Sequence, residues 1–113
     1  MAPRDPLRVD ILPGTLDLLI LQTLSLQPMH GYGIAQHIGR VSAEALRVEE
    51  GSLYPALQRL RLKGWVKASW ETTPTGRRAR YYELTRAGRT QLAHERSSFD
   101  QLVAAVRRVV RPA

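Results

Sequence analysis

From Leu16 onward, apolar residues recur at three- and four-residue spacing: Leu16, Leu19, Ile20 and Leu24, with Leu18 and Leu21 widening the stripe. That period is helical, and a helix apolar on most sides belongs at the centre of a core. Pro13-Gly14-Thr15 opens it, with Thr15 as cap and Asp17 near the positive end of the dipole, and Gln27-Pro28 closes it. His30-Gly31-Tyr32-Gly33 starts a shorter helix that turns Ile34, Ala35 and Ile38 inward and closes near Gly39–Val41. Ala45, Leu46 and Val48 then allow a short extended piece. Gly51-Ser52 is the next cap signal, for a helix over Leu53–Lys63 carrying Leu53, Leu57 and Leu60 on one face. Pro55, three residues past a Ser52 cap, sits where its missing N–H has no intrahelical partner to lose, and Gly64 ends the helix.

Beyond Gly64 the pattern changes to alternation. Trp65–Glu71 and Arg80–Leu84 read as two strands, and the turn-rich Thr72–Ala79 between them as a hairpin tip. Thr85 caps a last helix that runs to about Val110 before Arg111-Pro112. Helix, helix, helix, hairpin and long helix make the chain mainly α with a small β-hairpin. The order fits a winged helix-turn-helix domain over residues 13–85, with an arm at 1–12 and a C-terminal dimerisation helix at 86–113. A small α+β domain with an ordinary basic surface is the competing reading.

Charge separates the two. The 113 residues carry 17 Lys and Arg against 10 Asp and Glu, a net charge of +7. Nine of those cations and only two of the acids lie between Arg59 and Arg89, which leaves the rest of the chain balanced. Charge gathered in one contiguous third predicts an anionic partner, a nucleic acid or an acidic surface. With the leucines of the third helix inward, Ser52, Pro55, Ala56, Arg59 and Lys63 point outward and Tyr54 and Gln58 lie at the flanks. These groups reach phosphates or base edges in a major groove, where the bland alternative is a solvated face. Arg77, Arg78 and Arg80 crowd a hairpin tip, and a solubilising loop would more often mix signs.

Other chemistry is excluded for want of residues. No cysteine is present, which removes disulfides, thiolate metal sites and a cysteine nucleophile, and suits a reducing cytoplasm. His30, His37 and His94 have no ligand constellation around them, and neither a phosphate loop nor a catalytic triad occurs. No enzyme, cofactor or metal is expected. MAPRDPLRVD lacks the apolar run of a signal peptide, and Leu16–Leu26 is too short to span a bilayer, so a cytoplasmic protein off the membrane is expected.

Along the last helix, Leu92, Phe99, Leu102, Val106 and Val109 follow a four-and-three spacing once Glu95 is admitted, and Val103 and Val110 broaden the stripe. A seam of this kind pairs with a twin chain or folds back onto the first helix.

Pro13-Gly14-Thr15-Leu16, His30-Gly31-Tyr32-Gly33-Ile34, Glu50-Gly51-Ser52-Leu53-Tyr54-Pro55-Ala56-Leu57 and Arg78-Ala79-Arg80-Tyr81-Tyr82, with Leu84, Thr85 and Gly88, resemble the PadR-like transcriptional regulators. The resemblance spans roughly Leu12 to Leu92. It implies a homodimeric winged helix of the short subtype, with one C-terminal helix, that represses transcription from pseudo-palindromic operators in double-stranded DNA. Release by a small-molecule effector often accompanies that activity. By position it assigns Ser52, Tyr54, Pro55 and Arg59 to the recognition helix, extended by Lys63 on the same outer face, and Arg77, Arg78 and Arg80 to the wing. Relatives that hold flat aromatic ligands do so between tryptophans of the C-terminal helix. Here that helix has only Phe99, and Trp65 and Trp70 fall in the hairpin. The rival function is a winged-helix protein-interaction module whose basic wing binds an acidic partner.

Overall fold

The computed structural model describes residues 11–112. Four helices, α1 (Pro13–Leu24), α2 (Gly31–Val41), α3 (Glu50–Leu62) and α4 (Arg86–Val110), pack with strands β1 (Met29–His30), β2 (Val66–Thr72) and β3 (Arg78–Leu84). The sheet is antiparallel in the order β1-β3-β2. The architecture is a winged helix: α3 follows α2 across a turn, and the β2–β3 hairpin stands beside α3. Of the arm expected over residues 1–12, residues 1–10 lie outside the described residues.

The core gathers Ile20, Leu21 and Leu24 of α1, Ile34 of α2, and Leu53, Leu57 and Leu60 of α3, all at most 1% exposed, over Val66 of β2 and Leu84 of β3. A buried aliphatic side chain of this size contributes roughly 1.5–3 kcal/mol, so these leucines and isoleucines dominate stability.

Several local expectations are corrected. Leu12, not Thr15, is the N-cap of α1, because Pro13 serves as a first residue whose missing N–H costs no intrahelical bond. The helix stops at Leu24, short of Pro28, with the Ser25 N–H and hydroxyl turned back onto the Gln22 carbonyl. Residues 45–48 form no strand. Ala43 and Glu44 adopt positive φ, 52° and 65°, reversing the chain so that Leu46 and Val48 close the edge of the core. α3 begins at Glu50, so Ser52 lies inside it and caps nothing. β3 begins at Arg78, two residues earlier than its aromatic pattern indicates, and the hairpin loop shrinks to residues 73–77.

The helix ends are set by specific bonds. His30 Nδ1 accepts from the Gly33 N–H at 2.9 Å and caps α2. Gly64, at φ +78°, sits past the end of α3; its N–H donates to the Arg61 carbonyl and the Trp65 N–H to that of Leu60, both at 3.0 Å. This pair of bonds around a left-handed residue is a Schellman closure. Thr85 Oγ1 accepts from the Gly88 N–H at 3.0 Å, capping α4, and donates to the Gly64 carbonyl at 2.7 Å.

α4 lies so close to the base of the hairpin that a Cβ on Gly88 would overlap the Trp65 carbonyl oxygen and the Leu84 side chain. Only Gly88 and Leu92 of this 25-residue helix are buried. The rest extends outward, giving dimensions of 57 × 38 × 21 Å and a radius of gyration of 15.7 Å, against about 13 Å for a compact chain of this length. Gly88→Ala is expected to lower unfolding stability by roughly 1–3 kcal/mol or more, since neither backbone can yield. Denaturant unfolding measures it; an unchanged midpoint would show that α4 is not held at this contact.

Candidate nucleic-acid interface

The side chains of α3 divide cleanly. Leu53, Ala56, Leu57 and Leu60 are buried, which corrects the outward placement of Ala56: as a methyl group it fills the helix–core contact beside Leu57. Gly51, Ser52, Pro55, Gln58, Arg59, Leu62 and Lys63 are exposed, with Tyr54 half in. The outermost line of the helix runs through Gly51, Pro55, Gln58 and Leu62, spaced four, three and four residues, so Ser52 and Arg59 border it on one side and Tyr54 on the other. Sequence periodicity puts Gln58 at a flank; it lies near the centre because Ala56 joins the buried side and turns the outer face toward it.

Tyr54 is 46% exposed, and its ring crosses the first turn of α2. A Cβ on Gly31 would come within 2.8 Å of Tyr54 Cε1 and Oη. Glycine at 31 therefore makes room for the phenol. Burial, then the Glu50 charge, then Tyr82, hold the Tyr54 hydroxyl above the usual tyrosine range. Pro55 stands well inside α3, with no N–H to offer the Gly51 carbonyl four residues back.

Arg59 and Lys63, two of the three cations at the end of α3, are engaged differently. Arg59 Nη2 donates to Asp17 Oδ1 of α1 at 3.0 Å, with the Arg59 side chain 47% exposed and Asp17 17%. An exposed pair of this kind is worth about 0–1 kcal/mol, too little to hold the fold but enough to orient a guanidinium. Lys63, the C-cap of α3, sets its Nζ 4.8 Å from the centre of the Trp65 ring.

In the hairpin, only Arg77 belongs to the turn, which Gly76 (φ +84°) and the Thr73 N–H···Arg77 carbonyl bond at 2.7 Å close. Arg78 and Arg80 are on β3 rather than at the tip; their alternation puts them on one face of the strand, opposite Thr72 and Trp70 of β2. The Arg78 guanidinium lies 5.4 Å from the Trp70 ring centre, and Trp70 is 60% exposed. Between this face and the starts of α2 and α3 runs a groove of about 660 Å³ whose walls include Tyr32, Tyr54, Trp70, Arg78, Arg80 and Tyr82. No carboxylate lines it, and among the described residues none of the three wing arginines has an acidic partner within 4.0 Å. Periodicity does not single out Tyr32 or Trp70 for this site. Trp70 joins Arg80 only through cross-strand register, which alternation within one strand does not reveal.

The seam residues of α4 divide as well. Leu92 is 7% exposed and belongs to the chain's own core, so it is unavailable to a twin, which corrects its place in the seam. Phe99, Leu102, Val106 and Val109 are exposed, Leu102 at 61% and Val109 at 85%, with Val103 half-buried. A groove of about 300 Å³ between α1 and α4 is lined by Leu12, Gly14, Leu18, Phe99 and Leu102. Among the described residues, no three His, Cys, Asp or Glu side chains gather as a metal site, and no helix is long and apolar enough to cross a membrane.

Residues 20–94 match the transcriptional regulator PadR-like family. The chain is 34% identical over 89 residues to a transcriptional regulator of Mycobacterium tuberculosis, a stretch covering 79% of each protein. It superposes on a transcriptional regulator from Clostridium thermocellum with a TM-score of 0.80 at 24% identity, covering 87% of this chain and 95% of that one. For a PadR-like transcriptional regulator from Bacillus cereus the TM-score is 0.77, again at 24% identity, covering 91% and 98%.

The contact between Gly31 and Tyr54 is directly testable. Gly31→Ala is expected to cost roughly 1–3 kcal/mol in the wild-type background and much less beside Tyr54→Ala, because the added methyl then meets empty space. Equal costs in both backgrounds, measured by denaturant unfolding, would show that the two residues do not compete for the same volume.

Proposed function

From the premise that the chain belongs to the PadR-like family of transcriptional regulators, we propose that it is a repressor that binds a pseudo-palindromic operator in double-stranded DNA as a homodimer. Regulators of this family are transcription factors rather than enzymes. The observation that carries the reading is the carboxylate-free groove between α3 and a wing whose three arginines have no acidic partner among the described residues. Clustered guanidinium groups repel one another, and an array of phosphates offsets that repulsion. Arg77, Arg78 and Arg80 hold the sugar–phosphate strand, and α3 presents Ser52, Tyr54 and Pro55 to the major groove. Arg59 and Lys63 supply charge at its border, Arg59 in the orientation that Asp17 sets. The protein acts where the chromosome lies, in the cytoplasm.

The homodimer rests on α4. A helix of 25 residues is about 37 Å long, and its outer half exposes Phe99, Leu102, Val106 and Val109 on one stripe. A second copy covers that stripe by two-fold symmetry, with Val103 at its margin and the α1–α4 groove at its end.

Two measurements test this. Arg78→Ala with Arg80→Ala is expected to weaken operator and random duplex by similar factors. It also flattens the plot of log K against log salt, by roughly 0.9 for each phosphate that the wing no longer neutralises. An unchanged slope removes the wing from the interface, and equal binding to a polyanion of matched charge favours an acidic protein as the partner. Leu102→Asp is expected to give a folded monomer with operator affinity reduced further than by the wing change. A Leu102→Asp protein that still sediments as a dimer would place the dimer contact elsewhere.

A further inference from the structure

Among the described residues, nothing around Gly51 requires it to be glycine. It lies in the first turn of α3, its φ is not positive, and a Cβ built on it meets no atom within 4 Å. Glycine is among the poorest helix formers, so alanine would suit the isolated fold better. Gly64 and Gly76 are accounted for by positive φ and Gly31 and Gly88 by a neighbour occupying the place of the Cβ, while Gly33 and Gly39 each face a side chain at 3.3–3.4 Å. Gly14 shares the open surroundings but belongs to α1, beside Phe99 and Leu102.

Two further features mark the same line of α3. Pro55 leaves the Gly51 carbonyl without the N–H four residues on, so a bare Cα and a carbonyl lacking its regular helical donor sit together on the outermost stripe. One further turn along, Gln58 accepts from Arg61 Nη2 at 3.0 Å through Oε1, while its amide nitrogen has no partner among the described residues. A side chain missing where nothing internal excludes it, next to free hydrogen-bonding groups, is what close approach by an outside surface requires.

We infer that Gly51 and Gln58 are the specificity-determining centre of α3: the duplex comes within van der Waals contact of the Gly51 Cα, and the Gln58 amide reads a base edge in the major groove. This rests on the DNA-binding reading above. A methyl group at 51 holds the helix off the base edges by about the width of one carbon and lengthens every hydrogen bond made from its outer stripe. Phosphate contacts from the flexible wing arginines adjust to that shift, so random duplex binding is affected less.

The intact protein carrying Gly51→Ala tests it, with thermal unfolding and affinities for the footprinted operator and a random duplex at one salt concentration. The expected result is a melting temperature unchanged or raised, operator affinity lowered at least about tenfold, and random-duplex affinity changed by less than about threefold. Gln58→Ala is expected to abolish discrimination at a single base pair of each half-site while leaving the others intact. Gly51→Ala binding the operator within twofold of wild type overturns the inference, as does a lowered melting temperature, which would reveal an internal need for glycine. Wild-type protein that binds no duplex at all overturns the functional reading itself, a different result from a silent Gly51→Ala.

Discussion

At the foot of the hairpin, four backbone groups and one hydroxyl tie the three working parts of the molecule together. Thr85 Oγ1 bridges the Gly64 carbonyl at the end of α3 and the Gly88 N–H at the start of α4, while the Thr85 N–H donates to the Trp65 carbonyl at 3.0 Å. That same carbonyl is the surface against which Gly88 packs without a side chain. The end of α3, the base of the wing and the root of the long helix therefore share one junction. Because none of the three moves without breaking a hydrogen bond or forcing an overlap, α3, the wing and the start of α4 keep one relative orientation. In the proposed homodimer, a partner bound along α4 sets where the two copies of α3 stand relative to each other.

Much of this junction is written locally. Gly64 one residue past a leucine-patterned helix, and Thr85 three residues before Gly88, are signals of short range, and the inward leucines of α3 follow from period alone. What the chain hides is set by contacts between distant segments. Asp17 looks like a dipole residue of α1 until Arg59, 42 positions away, is brought to it. Tyr54 looks simply exposed until Gly31 opens a place for its ring. β1 has two residues, too few to carry any alternation, and exists because β3 offers it an edge. The start of α3 is obscured because Ser52 and Pro55 both resemble first-turn residues, whereas the helix extends back to Glu50 with no side-chain cap at Glu49. Ala56, small enough to be buried against the core, turns the outer face so that Gln58 lies nearer its centre. Leu92 is misleading because a heptad stripe does not say which of its residues face the home core.

The energetics separate what folds the protein from what makes it useful. The aliphatic core dominates stability and is formed within one chain. The exposed stripe of α4, and the wing arginines that have no acidic partner among the described residues, add little to that core; under the proposed function each meets a second molecule. Arg59 stands between the two classes, since its bond to Asp17 links α3 to α1, the element that borders the α4 groove.

That two symmetric copies present α3 and the wing to one duplex is tested most directly by hydroxyl-radical footprinting of wild-type protein on its operator. Two equivalent protected patches related by two-fold symmetry are predicted, with centres about one helical turn, roughly 34 Å, apart, each flanked by backbone protection from a wing. A single asymmetric patch, or uniform protection independent of sequence, would contradict it.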